Sequence, residues 1–321
     1  MKTQRIVLTG GTGFVGSAIA NRLAEEAVSV LVPTRRRSRA GHLILLPGIE
    51  VVEADVHDPA TLERLFAGAD AVVNLVGILH SASAEPYGPD FARAHVELPA
   101  KIVAACQKAG VARLVHVSAL GADDNGASEY QRSKAAGEAA IRAAGEHPAW
   151  TILRPSVIFG RGDSFVNLFA GLVRVFPVLP LAGAAARFQP VYVEDVAEVV
   201  WHCLNEHSAA GQTFELAGPT VYTLRELVEY IATLTGKRRI IVPLSDRLAA
   251  LQAAVLERLP GPLMSRDNLR SMQVDNVASG TPLPFDLKPT ALEAIVPSYI
   301  ANASTRGRYY HSRTRARRGP D

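Results

Sequence analysis

The stretch RIVLTGGTGFVGSAIANRLAEE, residues 5–26, decides the fold of this chain. It reads as a buried strand, a glycine-rich turn and a helix with apolar residues at helical spacing. Gly10, Gly13 and Gly16 follow the spacing G-x-x-G-x-x-G, which allows a tight turn and a close approach to a pyrophosphate. The free N–H groups and the dipole at a helix start favour the phosphate charge. The stretch therefore predicts a dinucleotide-binding turn; the alternative is a glycine turn without a ligand.

The end of the next strand, VSVLVP at 28–33, bears on which dinucleotide the turn would hold. An acidic residue there typically binds the adenosine ribose 2′-hydroxyl of NAD. This chain instead continues with Thr34, Arg35, Arg36 and Arg37. Guanidinium groups suit a 2′-phosphate through forked, charge-assisted hydrogen bonds. The sequence therefore predicts NADP(H) in preference to NAD(H), against the alternative of a solvated basic loop.

Strand and helix patterns continue to alternate along the first half of the chain. IEVVEADVHD (49–58) precedes the helix TLERLFAG, and ADAVVNLVGI (69–78) precedes a loop and the helix LPAKIVAACQKAG. RLVHVSAL (113–120) is a strand that ends at Ser118, and SEYQRSKAAGEAAIRAAG (128–145) has a helical pattern. This alternation predicts an α/β fold, a doubly wound parallel sheet with a smaller C-terminal lobe.

Tyr130 and Lys134 lie four residues apart and share one face of the last of these helices. A nearby ammonium group favours the anionic form of a tyrosine, which makes the phenol more useful as a general acid or base. Lys134 would supply that charge and hold the nicotinamide ribose, and Ser118 would hydrogen-bond the reacting oxygen. We predict these three as catalytic residues; the alternative is a surface Tyr and Lys on an amphipathic helix.

Taken together, TGGTGFVG, NLVG from Asn74, Ser118 and YQRSK from Tyr130 resemble the short-chain dehydrogenase/reductase superfamily, in its extended or atypical form. The resemblance implies a Ser-Tyr-Lys constellation beside a nicotinamide nucleotide, with the adenine near Asp55 and Val56. It also implies that the segment after Asn74 lines the cofactor groove. No metal site is predicted. The predicted cofactor-binding residues are Gly10, Thr12, Gly13, Phe14, Val15, Gly16, Arg35, Arg36, Arg37, Asp55, Val56, Leu75, Val76, Gly77, Tyr130, Lys134 and Pro155.

The second half resembles a narrower family, the NADPH-binding accessory subunit of respiratory complex I. Four stretches carry this resemblance: RPSVIFGRGDSFVN, RFQPVYVEDVAE, FELAGPTVYTLRELVEYI and SRDNLRSMQVDNV, which begin at Arg154, Arg187, Phe214 and Ser265. The resemblance implies firm NADPH binding and a structural or regulatory role on complex I. The alternative is a free NADPH-dependent oxidoreductase or NAD-dependent epimerase/dehydratase, acting on a carbonyl, quinone-like or nucleotide-sugar substrate. The Ser-Tyr-Lys set supports that alternative.

The chain divides into two lobes and a tail. Asp195 begins a predicted helix, where an acidic residue more often serves the helix start than catalysis. The segment LSDRLAALQAAVLERLP at 244–260 predicts an amphipathic helix, and we expect its apolar stripe to pack on its own domain. The stripe consists of Leu244, Leu248, Leu251, Val255 and Leu259. We assign residues 1–154 and 187–217 to the dinucleotide-binding domain, 155–186 and 218–300 to the smaller lobe, and 301–321 to a flexible basic tail.

Composition excludes several classes of protein. The 321 residues are 48% hydrophobic and 20% charged, which is typical of a soluble globular chain with a sizeable core. This usage argues against disordered and disulfide-stapled classes. Cys106 and Cys203 lie in apolar helical patterns, which predicts reduced thiols inside the core.

The formal net charge of +3 is unevenly distributed. The last 21 residues hold six arginines against Asp321, a local charge of +5, which leaves about −2 for the body. A nucleic-acid-binding protein would carry its basic excess on a broad face of the folded domain, so no nucleic acid partner is predicted. The tail suits complex I subunits or an acidic membrane surface, against the alternative of a solvated tail.

The sequence also bears on location. Met1 stands only a few residues before the first strand pattern, so we expect a cytoplasmic protein. The most apolar stretch, LFAGLVRVFPVLPLAGAAA from Leu168, is interrupted by Arg174, Pro177 and Pro180. It is a poor membrane span but leaves an interfacial position open. A peripheral position on the cytoplasmic face of the inner membrane is therefore the second expectation.

Overall fold

The computed structural model describes residues 4–258 and 264–301. Within these residues the chain forms the strands β1 (Arg5–Thr9), β2 (Ser29–Thr34), β3 (Ile49–Glu53), β4 (Ala71–Asn74), β5 (Arg113–Val117), β6 (Ala149–Pro155), β7 (Ile158–Phe159), β8 (Val178–Leu181), β9 (Arg187–Phe188), β10 (Val191–Tyr192), β11 (Gln212–Leu216), β12 (Tyr222–Thr223) and β13 (Ile240–Pro243).

The α-helices alternate with these strands in the first half and dominate the second half. They are α1 (Phe14–Ala24), α2 (Pro59–Phe66), α3 (Pro89–Phe91), α4 (Leu98–Ala109), α5 (Glu129–Arg142), α6 (Phe165–Val175), α7 (Val193–Asn205), α8 (Leu224–Leu234), α9 (Asp246–Leu256), α10 (Arg266–Ser271) and α11 (Leu292–Ile300).

One parallel sheet organises the fold. Its seven strands lie in the order β3-β2-β1-β4-β5-β6-β11, and every neighbouring pair is parallel. The direction of winding reverses between β1 and β4, and in such sheets a crevice opens beyond the carboxyl ends of the strands at this point. The predicted doubly wound α/β class is confirmed.

Apolar side chains pack on both faces of the sheet. One core cluster joins α1 and α7 to one face, and a second joins α2 and α4 to the other. A third cluster, around α6 and α8, lies among the segments assigned to the smaller lobe. The exact lobe boundaries given above stay a prediction, and the tail from residue 302 onward lies outside the described residues.

Cys106 and Cys203 are free and buried, as predicted, and burial raises the pKa of each thiol to about 12.

Asp195 lies in the first turn of α7 and accepts hydrogen bonds from the backbone N–H and the hydroxyl of Thr290. Its carboxylate therefore ties the segment before α11 to the start of α7.

The prediction that the apolar stripe of α9 packs on its own domain is wrong. Leu248, Leu251 and Val255 are 54%, 62% and 54% exposed. The helix instead faces the body with Ala249 and Ala253, which are fully or almost fully buried. Small side chains allow α9 to lie close to the body, and the larger apolar groups then point away. Leu259, the last residue of the predicted stripe, lies outside the described residues.

Among the helices of residues 4–258 and 264–301, none combines the length and the apolar content needed to cross a bilayer.

A buried carboxylate ties α5 to the sheet. Glu138 has a fully buried side chain and accepts two hydrogen bonds from Arg154 of β6, at 2.8 and 2.7 Å. Arg142, one turn further along α5, donates a third at 2.8 Å. These contacts lower the pKa of Glu138 against the opposing effect of burial. The helix is therefore fixed to β6 by an ion pair of good geometry.

Replacing Glu138 by Gln should destabilise the fold by about 2 kcal/mol, because Arg154 and Arg142 lose their shared carboxylate. The figure is below that for a fully buried pair because both arginines are partly exposed. The folded-state pKa of Glu138 is lowered, so its contribution is present at neutral pH and is lost as pH falls through that pKa. Urea unfolding of E138Q and of the exposed control E146Q should therefore differ at pH 7 and converge in acid; equal stability at pH 7 would contradict this role.

Candidate functional site

The glycine turn after β1 approaches the backbone of the loop after β4 closely. Gly10 has φ of +79°, which favours glycine, and a Cβ there would lie 3.1 Å from the carbonyl carbon of Leu75. A Cβ on Gly16 would lie 2.5 Å from the Cα of Gly11, so only glycine lets α1 pack this closely on the turn. The N-cap of α1 is Gly13, which has no side chain to occupy the first N–H groups of the helix. Thr12, Phe14 and Val15 complete this helix start.

The basic segment begins at the carboxyl end of β2. Arg35, Arg36 and Arg37 are all exposed. The hydrogen bonds of Arg36 to Thr34 and of Arg37 to Glu53 are made by backbone N–H groups, at 3.4 Å each. The three arginines are therefore exposed on a segment whose backbone is anchored to Thr34 and Glu53.

Two further predicted segments line the crevice at the ends of β3 and β4. Asp55 follows β3 and accepts a hydrogen bond from the backbone N–H of His57, and Val56 packs against the apolar cluster below. After β4, the backbone N–H of Val76 donates to the side-chain oxygen of Asn74 at 3.2 Å. Leu75, Val76 and Gly77 thus run beside the glycine turn, as the contact with Gly10 requires.

The structure brings Ser118 and Lys134 together at the carboxyl end of β5. The Nζ of Lys134 donates to the carbonyl oxygen of Val117 at 3.0 Å. The neighbouring Ser118 hydroxyl is buried, and it lies near enough to Glu138 to help lower the pKa of that carboxyl, without a well-formed hydrogen bond. Pro155 ends the adjacent strand, where its carbonyl oxygen accepts from the N–H of Leu120. Burial lowers the pKa of Lys134 to about 8, opposed by the charge of Glu138.

Tyr130 lies one turn before Lys134 on the same helix. Its ring meets the rings of His95 and Phe91 edge to face, with centroids 5.6 and 6.0 Å apart. Burial raises the pKa of Tyr130 to about 12. This differs from the expectation that the ammonium group would favour the phenolate, because desolvation dominates here. The phenol is therefore protonated at neutral pH, and its raised pKa makes it a weaker proton donor than an ordinary tyrosine.

His95 is a site residue that the sequence reasoning missed. It lies in a π-helical turn, Ala92–Glu97, between α3 and α4. Its Nε2 lies 3.0 Å from the backbone N of Ile78, and its Nδ1 lies 2.9 Å from the hydroxyl of Ser133. Because Ile78 donates its N–H, Nε2 accepts, and the ring is neutral with the proton on Nδ1. Burial and the charge of Lys134 lower the pKa of His95 to about 2, consistent with that form.

A second neutral histidine, His116, lies near Lys134. His116 on β5 is buried, and its Nδ1 lies 3.0 Å from the side-chain nitrogen of Asn74. Burial lowers its pKa to about 3, and the charge of Lys134 acts in the same direction. No sequence motif pointed to either histidine. Glu138, by contrast, lies four residues after Lys134, so helical spacing alone could have found it.

The start of α5 is also held by a segment far away in sequence. Asp267, the second residue of α10, accepts hydrogen bonds from the backbone N–H groups of Glu129 and Tyr130 at 2.8 and 3.0 Å. Arg270 donates to both Glu129 and Asp267. Glu129 in turn accepts from the backbone N–H of Gly88. The smaller lobe therefore contacts the helix that carries Tyr130 through paired charges.

A cavity of about 490 Å³ opens where this contact meets the loop after β4. Phe91, whose ring meets that of Tyr130, forms part of its wall. The lining also includes Leu79, His80, Glu129, Arg266 and Arg270. A small molecule in this cavity would lie beside the helix start that carries Tyr130.

The residues present fit a nicotinamide dinucleotide. The tight turn and the uncapped start of α1 provide backbone N–H groups for a pyrophosphate. A Cβ on Gly77 would lie 3.7 Å from the Nζ of Lys134, so the loop after β4 and the lysine lie within reach of one ligand.

Comparison with known proteins agrees with this geometry. Residues 6–217 match the family model described as the NAD dependent epimerase/dehydratase family. The chain is 33% identical over 295 residues to the mouse (Mus musculus) protein NADH dehydrogenase (ubiquinone) 1 alpha subcomplex subunit 9, mitochondrial, covering 88% of this chain and 76% of the mouse protein. It is 34% identical over 195 residues to the ceramide reductase of Caulobacter vibrioides, covering 60% of this chain and 58% of that protein.

A solved structure shares the fold. DesIV, a dTDP-glucose 4,6-dehydratase from Streptomyces venezuelae determined with NAD and TYD bound, aligns with a TM-score of 0.67 and 23% identity. The alignment covers 77% of this chain and 86% of that chain. Both resemblances drawn from the sequence motifs are thereby confirmed. The family model matches residues 6–217, and the parallel strand order is that of a doubly wound sheet. This chain therefore belongs to the NAD dependent epimerase/dehydratase family and binds a nicotinamide dinucleotide.

Proposed function

We propose that this protein is an NADP(H)-binding accessory or assembly subunit of a respiratory NADH dehydrogenase complex. The observation that carries the proposal is the extent of its similarity to the mouse subunit. That similarity covers 88% of the chain, whereas the family match ends at residue 217. The smaller lobe is therefore part of what the two proteins share, and its α10 contacts the dinucleotide-binding half at the start of α5.

The preference for NADP(H) over NAD(H) belongs to the same proposal. Three exposed guanidinium groups follow β2, where a 2′-phosphate would lie in this fold. Arginine forks bind phosphate oxygens in pairs, so one or two of these side chains suffice for recognition. Thr34, which ends β2, carries no charge that would repel the phosphate.

We further propose a cytoplasmic protein held peripherally at the inner membrane. The tail after residue 301 carries six arginines and a local charge of +5, which suits an acidic subunit surface or acidic lipids. Such contacts between exposed charges are screened by salt, so high ionic strength would release them.

The second candidate is a free oxidoreductase, or an epimerase/dehydratase, with Ser118, Tyr130 and Lys134 as catalytic residues. It is favoured by the placement of Tyr130 and Lys134 one turn apart on α5, beside a cavity of about 490 Å³. The ceramide reductase relative is an enzyme by its name. A holder of NADPH would not obviously need this set of three side chains.

In carbonyl reduction each of the three residues would have its own role. When bound, the dinucleotide supplies a hydride from its nicotinamide ring. Tyr130 would donate the phenolic proton to the carbonyl oxygen, and the Ser118 hydroxyl would hydrogen-bond the same oxygen. The Lys134 ammonium would stabilise the tyrosinate left behind and hold the nicotinamide ribose. In the oxidation direction the same proton returns to Tyr130.

Purification from gently solubilised membranes at native expression tests the accessory role. We expect subunits of the NADH dehydrogenase complex to co-purify, together with one NADPH released per chain on denaturation. High salt should reduce the recovery if the tail contributes. A protein recovered free of those subunits would overturn the accessory role and favour the enzyme.

Replacing Arg35, Arg36 and Arg37 by Ala should weaken NADPH binding by about tenfold to a hundredfold, since charge-assisted hydrogen bonds to the 2′-phosphate are lost. Binding of NADH should change by less than about twofold, because it has no such phosphate. Isothermal titration with both nucleotides measures the difference, and R39A serves as a nearby exposed control. Equal losses for the two nucleotides would refute the preference for NADP(H).

Tyr130→Phe should lower any carbonyl reductase activity by about a hundredfold or more, because the proton donor is lost. The NADPH dissociation constant should stay nearly constant, since the hydroxyl is removed without a change of shape. Steady-state rates and nucleotide titration check the two statements, with Tyr230→Phe on α8 as the control. An unchanged rate would remove Tyr130 from the mechanism.

A further inference from the structure

We propose that the outer surface of the smaller lobe is a docking surface for a lipid bilayer with acidic headgroups. This surface, the apolar face, consists of Val178, Ile240 and Val242 on the β8–β13 ribbon together with Leu248, Leu251 and Val255 on α9. It is built from folded elements and is distinct from both the dinucleotide groove and the arginine-rich tail. The inference deepens the peripheral membrane position proposed above and rests on it, but it assigns the contact to folded elements instead of the tail.

The ribbon is covered on one side only. β8 and β13 pair in parallel, with Val178 opposite Ile240 and Pro180 opposite Val242. The alternate residues Leu179, Leu181 and Ile241 are buried in the core of the lobe. Side chains alternate along a strand, so the remaining set points outward, where Ile240 is 64% exposed. The outward side of this ribbon is as apolar as the inward side.

Helix α9 continues the same surface. The side-chain nitrogen of Gln252 donates to the carbonyl oxygen of Pro180 at 3.1 Å, which fixes the helix beside the ribbon. Pro180, Leu248, Leu251 and Val255 line one shallow groove of about 330 Å³. Ribbon and helix therefore present one continuous apolar area, more than isolated surface residues would.

The charge around the apolar face indicates which kind of partner it binds. Residues 174–181 and 237–258 carry six Lys and Arg against two carboxylates, a net +4, although the body of the chain is about −2. A second copy of this chain would place +4 against +4, which opposes self-association through this face. Acidic headgroups supply the opposite charge, and apolar side chains framed by cations are typical of surfaces that lie in a membrane interface.

Side-chain type also favours lipid over a protein partner. The six side chains are aliphatic, whereas the strongest contacts of protein interfaces centre on Trp, Tyr and Arg, with Leu and Val under-represented. Aliphatic groups enter the acyl boundary without leaving a polar atom unsatisfied. The apolar face is therefore better suited to contact with a lipid bilayer than with a protein partner.

The described chain ends at the edge of this face. The carbonyl oxygen of Ile300 accepts a hydrogen bond from Arg174, the residue before the exposed pair Val175 and Phe176. Arg239, directly before β13, donates to the carbonyl oxygens of Val173 and Arg174. The chain continues from this edge into residues 302–321, which hold six arginines. Their charge and the apolar groups would engage the same membrane.

Co-sedimentation of the full chain with vesicles tests the proposal. We expect binding to phosphatidylcholine vesicles that contain phosphatidylglycerol, and much weaker binding to phosphatidylcholine alone. The double variant L248Q/L251Q should bind the anionic vesicles about twentyfold more weakly, because two half-exposed leucines no longer enter the bilayer. The matched control I44Q/L45Q removes two exposed apolar side chains from the turn before β3 and should bind like the parent chain.

Vesicle binding in high salt distinguishes the contribution of the apolar face from that of the arginine-rich tail. Contacts made by arginines alone are screened, whereas apolar burial is not, so residual binding in high salt should persist in the parent chain and vanish in L248Q/L251Q. NADPH titration of both variants checks that the fold is intact, because it measures the dinucleotide site independently of membrane binding. Equal binding of L248Q/L251Q and I44Q/L45Q would overturn the proposal. A dimer in light scattering that L248Q/L251Q dissociates would overturn it too, since the face would then bind a second copy.

Discussion

The buried ammonium group of Lys134 is the constraint around which the site is arranged. A charge with 5% of its residue surface exposed must find a polar partner, and it donates to the carbonyl oxygen of Val117 at 3.0 Å. The charge of Glu138, one turn away on the same helix, also favours the ammonium form. Glu138 is itself buried and is held by Arg154 from β6. This chain of contacts fixes α5 against the ends of two neighbouring strands, and so fixes the position of Tyr130.

Burial, with the same charge acting in the same direction, determines the state of two neighbouring histidines. His95 and His116 are both kept neutral by burial and by the nearby ammonium group. A neutral His95 can accept from the backbone of Ile78 while it donates to Ser133, so it joins the loop after β4 to the middle of α5. The loop expected to contact the dinucleotide and the helix that carries the reactive residues are therefore one connected unit.

The smaller lobe joins this unit at the start of α5. The carboxylate of Asp267 accepts from two backbone N–H groups of that helix, one of them belonging to Tyr130. An acidic group at a helix N-terminus is stabilised both by hydrogen bonding and by the helix dipole. Movement of α10 would thus affect the start of α5. Arg266 of α10 also pairs with Glu257 at the end of α9, the helix that carries part of the surface that we assign to the membrane. The proposed accessory role needs such a connection between the nucleotide and the outside.

Local sequence was sufficient for the α/β class, the glycine turn and the pairing of Tyr130 with Lys134, because strand, turn and helix periods depend on residues close together in the chain. It could not reveal His95, whose place depends on a π-helical turn, or Asp267, which is 137 residues from Tyr130. It also misjudged α9, since an apolar stripe is recognisable in any amphipathic helix, whereas the side that is covered depends on its neighbours. There the body receives Ala249 and Ala253, and the leucines remain outside because close packing of a helix requires small side chains.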